Sequence, residues 1–272
     1  MNIENITIQH PDFPVIHYSK SGAGPLLILL HGFPETGSLW NQVIPLLRDE
    51  FTVIAPDIPS AGKSSMAAHL PFTLIKISEF INIILEHEGH SSAVIAGHSM
   101  GGYILAAYAS QFPEKLKGMS FVHSSVYADT PEKIENREKA ISLMEKGGHK
   151  AFVQNMIPAL FAPKFAHTHK DLIKLQIERA LQLPADAMIQ FYRAMIGRKD
   201  YTELLRQISC PVQWIAGKED NILPVETVLS QAHLPHISFQ SVYENTGHMS
   251  MLENPKKLSE DLAVFTRYCY NP

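Results

Sequence analysis

Cysteine, charge of one sign and long apolar runs are all scarce in this chain. Its 272 residues include only Cys210 and Cys269, with no paired spacing or histidine partner that reads as a zinc site. Standing at a predicted strand and at the last predicted helix, they are expected as buried free thiols in a reducing cytoplasm rather than as a bridge. Lys and Arg number 23 against 27 Asp and Glu, and no basic block runs longer than a pair. Without a basic footprint, nucleic acid is not an expected partner. The opening Met1-Asn2-Ile3-Glu4-Asn5 is not a basic stretch leading into an apolar one, and runs such as Leu26 to Leu30 are far too short to span a bilayer. No membrane partner is expected either, and oligomeric state is not legible.

What the chain does have is 45% hydrophobic residues, enough to bury a sizeable core at this length. Short β-branched runs alternate with helical patterns, which predicts a mostly parallel sheet with helices on both faces. Eight strands are expected: Asn5-Gln9, Val15-Ser19, Pro25-Leu30, Thr52-Pro56, Ala93-Gly97, Leu116-His123, Val212-Ala216 and Ile237-Tyr243. The first two read as an antiparallel hairpin. Helices are expected at Ser38-Leu47, Leu74-His87, Gly101-Gln111, Val225-His233 and Lys256-Tyr268. Between Ser124 and Tyr201 no strand pattern occurs. Four helical segments fill that gap: Pro131-Lys146, Lys150-Leu160, Lys170-Leu183 and Ala185-Ile196. A structureless loop of this length is improbable, so the segment reads as an all-helical cap inserted over the strand ends. The expected division is residues 1-124 and 201-272 as the core and 125-200 as the cap.

The most informative stretch is Ala93-Val94-Ile95-Ala96-Gly97-His98-Ser99-Met100-Gly101-Gly102-Tyr103. A strand that turns into a helix within a few residues holds Ser99 in a strained conformation, and Gly97 and Gly101 let the two elements approach. The serine hydroxyl is weakly nucleophilic at neutral pH, so it needs a base, and the base needs an acid to fix its tautomer. His248 follows the last strand in Asn245-Thr246-Gly247-His248-Met249 and is the candidate base. Asp220, just past the strand Val212-Ala216, is the candidate acid, with Glu219 and Asp129 as rivals. The order Ser, Asp, His is the order a nucleophile-elbow architecture requires. Backbone N–H groups of Phe33 and Met100 are the candidate oxyanion hole, since Pro34 has no N–H to offer. His31 is expected to sit beneath that loop and hold it by hydrogen bonds.

These residues together resemble the α/β-hydrolase superfamily, from about Pro25 to Tyr268. The matching segments are His31-Gly32-Phe33-Pro34, Gly97-His98-Ser99-Met100-Gly101-Gly102, Gly217-Lys218-Glu219-Asp220 and Gly247-His248. The cap, with Met144 to Gly148 and Ala151-Phe152-Val153, is similar to that of small serine esterases and enol-lactonase-like members. The resemblance implies an α/β-hydrolase fold, a cis Phe33-Pro34 bond, and hydrolysis of a carboxylic ester or lactone without cofactor or metal. It also marks a departure: where relatives commonly carry Gly in the loop after Thr52-Pro56, this chain has Ser60. Epoxide hydrolases and dehalogenases carry Asp at the elbow, where this chain has Ser99. Carbon–carbon bond hydrolases usually place Trp after the catalytic His, where this chain has Met249; perhydrolases commonly have Trp at the Phe33 position. A small-molecule receptor on the same fold is the alternative from another class.

The cap aromatics and methionines, Phe152, Met156, Phe161, Phe165, Phe191, Tyr192 and Met195, are expected partly to pack on the core. The rest are expected to roof an apolar substrate pocket with Phe33, Met100 and Met249, Phe161 and Tyr192 being the leading candidates. No Arg or Lys is placed at that pocket by the sequence, so charged substrates are expected to be poor.

Overall fold

A computed structural model of the protein describes residues 3–271. All eight expected strands form, with ends within two residues of expectation: β1 (Glu4–Ile8), β2 (Ile16–Ser21), β3 (Leu26–Leu30), β4 (Thr52–Pro56), β5 (Ala93–His98), β6 (Leu116–Val122), β7 (Val212–Gly217) and β8 (Ser238–Tyr243). They make one sheet in the order β1-β2-β4-β3-β5-β6-β7-β8. β1 and β2 pair antiparallel, β2 meets β4 antiparallel, and every remaining pair is parallel. The central strands β3, β4, β5 and β7 are buried at every position, because helices cover both faces and leave no reason for polar alternation. At the edges the pattern changes. β1 and β8 mix exposed with covered positions, as a strand with one free side does.

The helices follow the sequence less closely. Expected as one element, Ser38-Leu47 is a 3-10 turn (Gly37–Gln42) followed by α1 (Ile44–Leu47), whose first turn holds Pro45 with no N–H to continue the ladder. Leu74-His87 divides into α2 (Leu74–Ser78) and α3 (Phe80–His87), where Glu79 N–H bonds to Lys76 O in a tighter turn. α4 (Met100–Ala109) starts directly behind Ser99 and packs on β5 and β6.

Between β6 and β7 the described residues are helical with no strand. α5 (Pro131–Leu143) runs through a π-helical turn at Met144–Gly148, with Gly147 at φ 85°, into α6 (His149–Ala159). Gly147 leaves helical φ/ψ there, so the run is kinked into two helices at the glycine pair, where the sequence places the break. α7 (Pro163–Thr168) was not expected; α8 (Lys170–Ala180) and α9 (Ala185–Ile196) were, and α10 (Thr202–Gln207) leads back to the sheet. α11 (Val225–Leu229) is shorter than its sequence pattern, α12 (Ser250–Glu253) is a single turn, and α13 (Pro255–Tyr270) packs on β6 and α1. Among the described residues no helix is long and apolar enough to cross a membrane.

Candidate active site

The parallel register brings the carboxyl ends of β5, β6, β7 and β8 to one sheet edge: His98 pairs with Val122, Val122 with Ile215, and Gly217 with Tyr243. Ser99 stands there at φ 50°, ψ −115°, a left-handed conformation that costs a non-glycine residue roughly 1–3 kcal/mol. Neighbours over-determine it. Its N–H bonds to Val122 O at 3.0 Å, its carbonyl receives Ser124 Oγ–H at 2.7 Å, and Gly102 N–H closes on the same carbonyl at 2.9 Å. The tight turn also requires both glycines, since a Cβ on Gly97 would lie 2.5 Å from the Gly101 carbonyl carbon, and one on Gly101 would lie 2.6 Å from Leu30 O.

Asp220 and His248 meet at this edge. His248 Nδ1 is 2.7 Å from Asp220 Oδ2, while Oδ1 of the same carboxylate accepts the N–H groups of Ile222 and Leu223 at 2.9 Å each. Sequence reasoning missed a third member: His123, at the end of β6 with φ 49°, places Nδ1 3.2 Å from the same Oδ2. Its signal was only a histidine at the carboxyl end of the strand beside the elbow. Burial opposes the charge on Asp220, but His248 and the hydrogen bonds from both imidazoles outweigh it and hold the carboxyl well below the carboxylate range. For His248, burial likewise opposes the charged form, yet the Asp220 carboxylate, Glu35 and Glu253 raise it above its ordinary value. His123 goes the other way, because burial outweighs the attraction of Asp220.

Of the rival acids, Glu219 gives its N–H to Thr246 O and its carboxylate has no hydrogen bond among the described residues, and Asp129 is occupied elsewhere by Arg137 (2.7 Å) and Arg198 (2.8 Å). His123, Asp220 and His248 also have donor atoms within 4.8 Å of one another, a spacing open to a metal. Separations of 2.7 and 3.2 Å between Nδ1 atoms and one carboxylate oxygen are those of hydrogen bonds. A metal held by the three would need about 2.0–2.2 Å to each.

The His248 loop is fixed by another residue the sequence did not reveal. Glu253 accepts N–H bonds from Gly247 and Met249 at 3.1 Å and from Ala162 at 2.9 Å, so one carboxylate ties the loop to the helical insertion. His248 N–H reaches Leu160 O at 2.7 Å, and His98 Nε2 donates to His248 O at 2.9 Å.

Phe33 N–H and Met100 N–H meet no protein acceptor among the described residues, and the Phe33-Pro34 bond is cis. His31 lies beneath as expected, fully buried, its Nε2 receiving Ile58 N–H at 2.9 Å. The phenyl ring of Phe33 is half-buried against Tyr192 (centroids 4.9 Å apart) and Phe191 (6.3 Å). Met100 and Met249 are buried. Phe161 is buried too, stacked on Phe165, so its ring packs within the insertion. One expectation fails: a cation does stand here, since the Arg137 guanidinium lies over the Tyr192 ring at 5.1 Å. The sequence places no Arg or Lys at the pocket; Arg137 comes there because its Nε pairs with the buried Asp129 carboxylate at 2.7 Å.

Among known proteins, the family described as the alpha/beta hydrolase fold matches residues 25–148. A Bacillus subtilis protein named only as an uncharacterised hydrolase is 27% identical over 97% of this chain and 98% of its own length. The pimeloyl-acyl-carrier-protein methyl ester esterase of Aeromonas hydrophila is 24% identical over 92% of this chain and 98% of its own. Among solved structures, a thermophilic esterase from Thermogutta terrifontis superposes with a TM-score of 0.88 at 27% identity, covering 99% of both chains.

Proposed function

The chain is a member of the α/β-hydrolase superfamily and an enzyme of the hydrolase class, and we propose that it is a serine hydrolase cleaving a carboxylic ester or lactone whose body is small and largely apolar. In this reading residues 125–200 act as a cap over a core of residues 1–124 and 201–272. The observation that carries the proposal is the 2.7 Å contact between His248 and the buried Asp220 carboxylate, at the sheet edge where Ser99 is held in its strained turn.

Ser99 is the nucleophile: Oγ attacks the substrate carbonyl carbon as His248 takes its proton. Asp220 keeps the Nδ1–H tautomer of His248 and stabilises the imidazolium that forms. Charge developing on the carbonyl oxygen meets the free N–H of Phe33, in the loop after β3, and that of Met100 at the start of α4, where the helix has no acceptor of its own to offer it. Collapse expels the alcohol with the proton from His248 and leaves Ser99 acylated. Water then attacks the acyl carbon, His248 again removes and returns the proton, and the acid departs. Cys210 and Cys269 stay free and buried, which supports the reading that the protein works in a reducing compartment.

The test is labelling and turnover together. A fluorophosphonate should modify the wild type at Ser99 alone, and a chain-length series of esters and lactones should be hydrolysed by the wild type and not by Ser99→Ala. Full activity in that variant would remove Ser99 from the mechanism.

A further inference from the structure

A cleft of about 640 Å³ opens beside the elbow, walled by Tyr103, Ser125, Phe152, Tyr192, Arg137 and Arg198. Two of these place it next to the chemistry. Tyr103 is one helical turn along α4 from Ser99 and directs its N–H to Ser99 O at 3.4 Å, and Ser125 adjoins the serine whose hydroxyl binds that same carbonyl.

The charge in this wall does not balance. Asp129 contributes one negative charge, with Oδ2 on Arg137 Nε and Oδ1 on Arg198 Nη1. Two guanidinium groups therefore face a single carboxylate, in side chains only 18% and 3% exposed. Arg198 is otherwise occupied, giving Nε–H to Tyr127 O and Nη1–H to Met195 O. Arg137 is not: beyond Nε, its guanidinium has no protein acceptor among the described residues. Glu132 and Lys133 also line the cleft, but they cancel each other and neither pairs with Arg137. Both guanidinium faces lie on rings, Arg137 over Tyr192 at 5.1 Å and Arg198 over Tyr103 at 4.0 Å. Stacking fixes the plane of Arg137 and leaves its Nη edge as a planar fork, the geometry that binds a carboxylate through two parallel hydrogen bonds.

Resting on the hydrolase reading above, we infer that Arg137 forms a carboxylate subsite, and that the preferred substrate is an ester whose acyl part ends in a free carboxylate lodged in this cleft while its ester group lies at Ser99. The apolar body lies along Tyr192 and Phe152, and the terminal carboxylate supplies the missing counter-charge. The product would be a dicarboxylic acid. Asp129 remains paired with Arg198 when Arg137 is replaced, so the substitution does not leave its buried carboxylate without a counter-charge.

Monomethyl esters of straight-chain dicarboxylic acids, compared with methyl esters of monocarboxylic acids of the same length, give the first readout. The wild type should favour the acid-bearing ester in kcat/KM by about tenfold or more, the scale of one charge-assisted contact. Arg137→Met should abolish that ratio chiefly through KM, and Arg137→Lys, which keeps the charge and loses the fork, should retain part of it. The second readout needs no turnover: glutarate or adipate should raise the Tm of the Ser99→Ala protein, hexanoate should not, and adding Arg137→Met should remove the effect. If methyl esters are hydrolysed without preference and no dicarboxylate shifts Tm, the subsite is overturned while the hydrolase stands. If no ester is cleaved and Ser99 resists fluorophosphonate, but the Arg137-dependent Tm shift persists, the hydrolase reading fails and the anion site remains. Should Arg137→Met not fold, Arg137→Lys decides alone, and an unaltered ratio and Tm shift there would count against the fork.

Discussion

Asp220 takes two hydrogen bonds on each oxygen, from His248 and His123 on one and from Ile222 and Leu223 on the other. Asp220→Asn keeps the shape but removes the charge, and its NH2 group would face two imidazole donors. It should lower kcat by about three to four decades, with a much smaller effect on KM, the loss expected when a triad acid is amidated. Because that carboxylate raises His248 above 6.5, wild-type kcat/KM should climb with pH through an inflection above that value. The residual activity of the variant should climb through a lower one, and a flat wild-type profile across the acidic range would remove His248 as the base. Glu35 offers a separate pH signature. Burial pushes its carboxyl from 4.5 up to about 7. Its neighbour His98 is kept neutral by burial and by His248 and His123, and spends its Nε2–H on His248 O. That leaves the lone pair of His98 Nδ1 facing Glu35 Oε2 at 3.9 Å, an arrangement that suits a protonated carboxyl. Between 4.5 and about 7 the folded chain keeps a proton that the unfolded chain has released, so Glu35 makes stability fall as pH rises through that window. Glu35→Gln has no such proton, and calorimetry at about pH 5 and about pH 7.5 should show the variant gaining on the wild type at the higher pH.

The elements meet through their loops, and one of these carries local strain. After β4, Asp57 bonds to Gly37 N–H and Lys63 N–H at 2.9 Å each, pinning a turn in which Ser60 adopts φ 74°. The sequence departure at this position thus leaves the left-handed backbone in place with a serine bearing the cost. Ser60→Gly should remove roughly 1 kcal/mol of strain, partly offset by the freer unfolded chain. The expected gain is roughly 1 to 2 °C in Tm, and an unaltered or lower Tm would show that the serine side chain compensates locally. Helix ends were the least legible features for a related reason. The splits at Pro45 and Glu79 depend on single backbone bonds, whereas the central strands were set by runs that are mostly apolar and buried.

At the scale of the molecule, the proposed cap is expected to set what reaches Ser99. Tyr192 and Phe161 separate the two duties of its aromatic residues. Tyr192 touches Phe33 and lines the open cleft, so Tyr192→Ala should shift the preferred acyl length while Ser99 still labels with a fluorophosphonate. Phe161, 1% exposed and stacked on Phe165, should behave as packing: its Ala variant should cost about 3 kcal/mol or more in denaturant unfolding and alter the chain-length profile less. The reverse pattern would place Phe161 in the pocket and Tyr192 in the core.

The sequence by itself determined the succession of eight strands with a helical stretch between the sixth and seventh, the elbow around Ser99, and the positions of Asp220 and His248. Each is a local signal: an apolar run, a glycine where two chains must touch, a polar residue just past a strand. Only the tertiary structure decided which groups share a carboxylate or a helix face. His123, Glu253 and Glu35 gain their surroundings from segments distant in the chain. Arg137, on a helix with many exposed positions, turns inward because Asp129 is buried in front of it and the Tyr192 ring holds its guanidinium plane. Hydrophobic periodicity encodes which side of an element is covered, but charge placement depends on what stands opposite, and that is settled only when the chain has closed on itself.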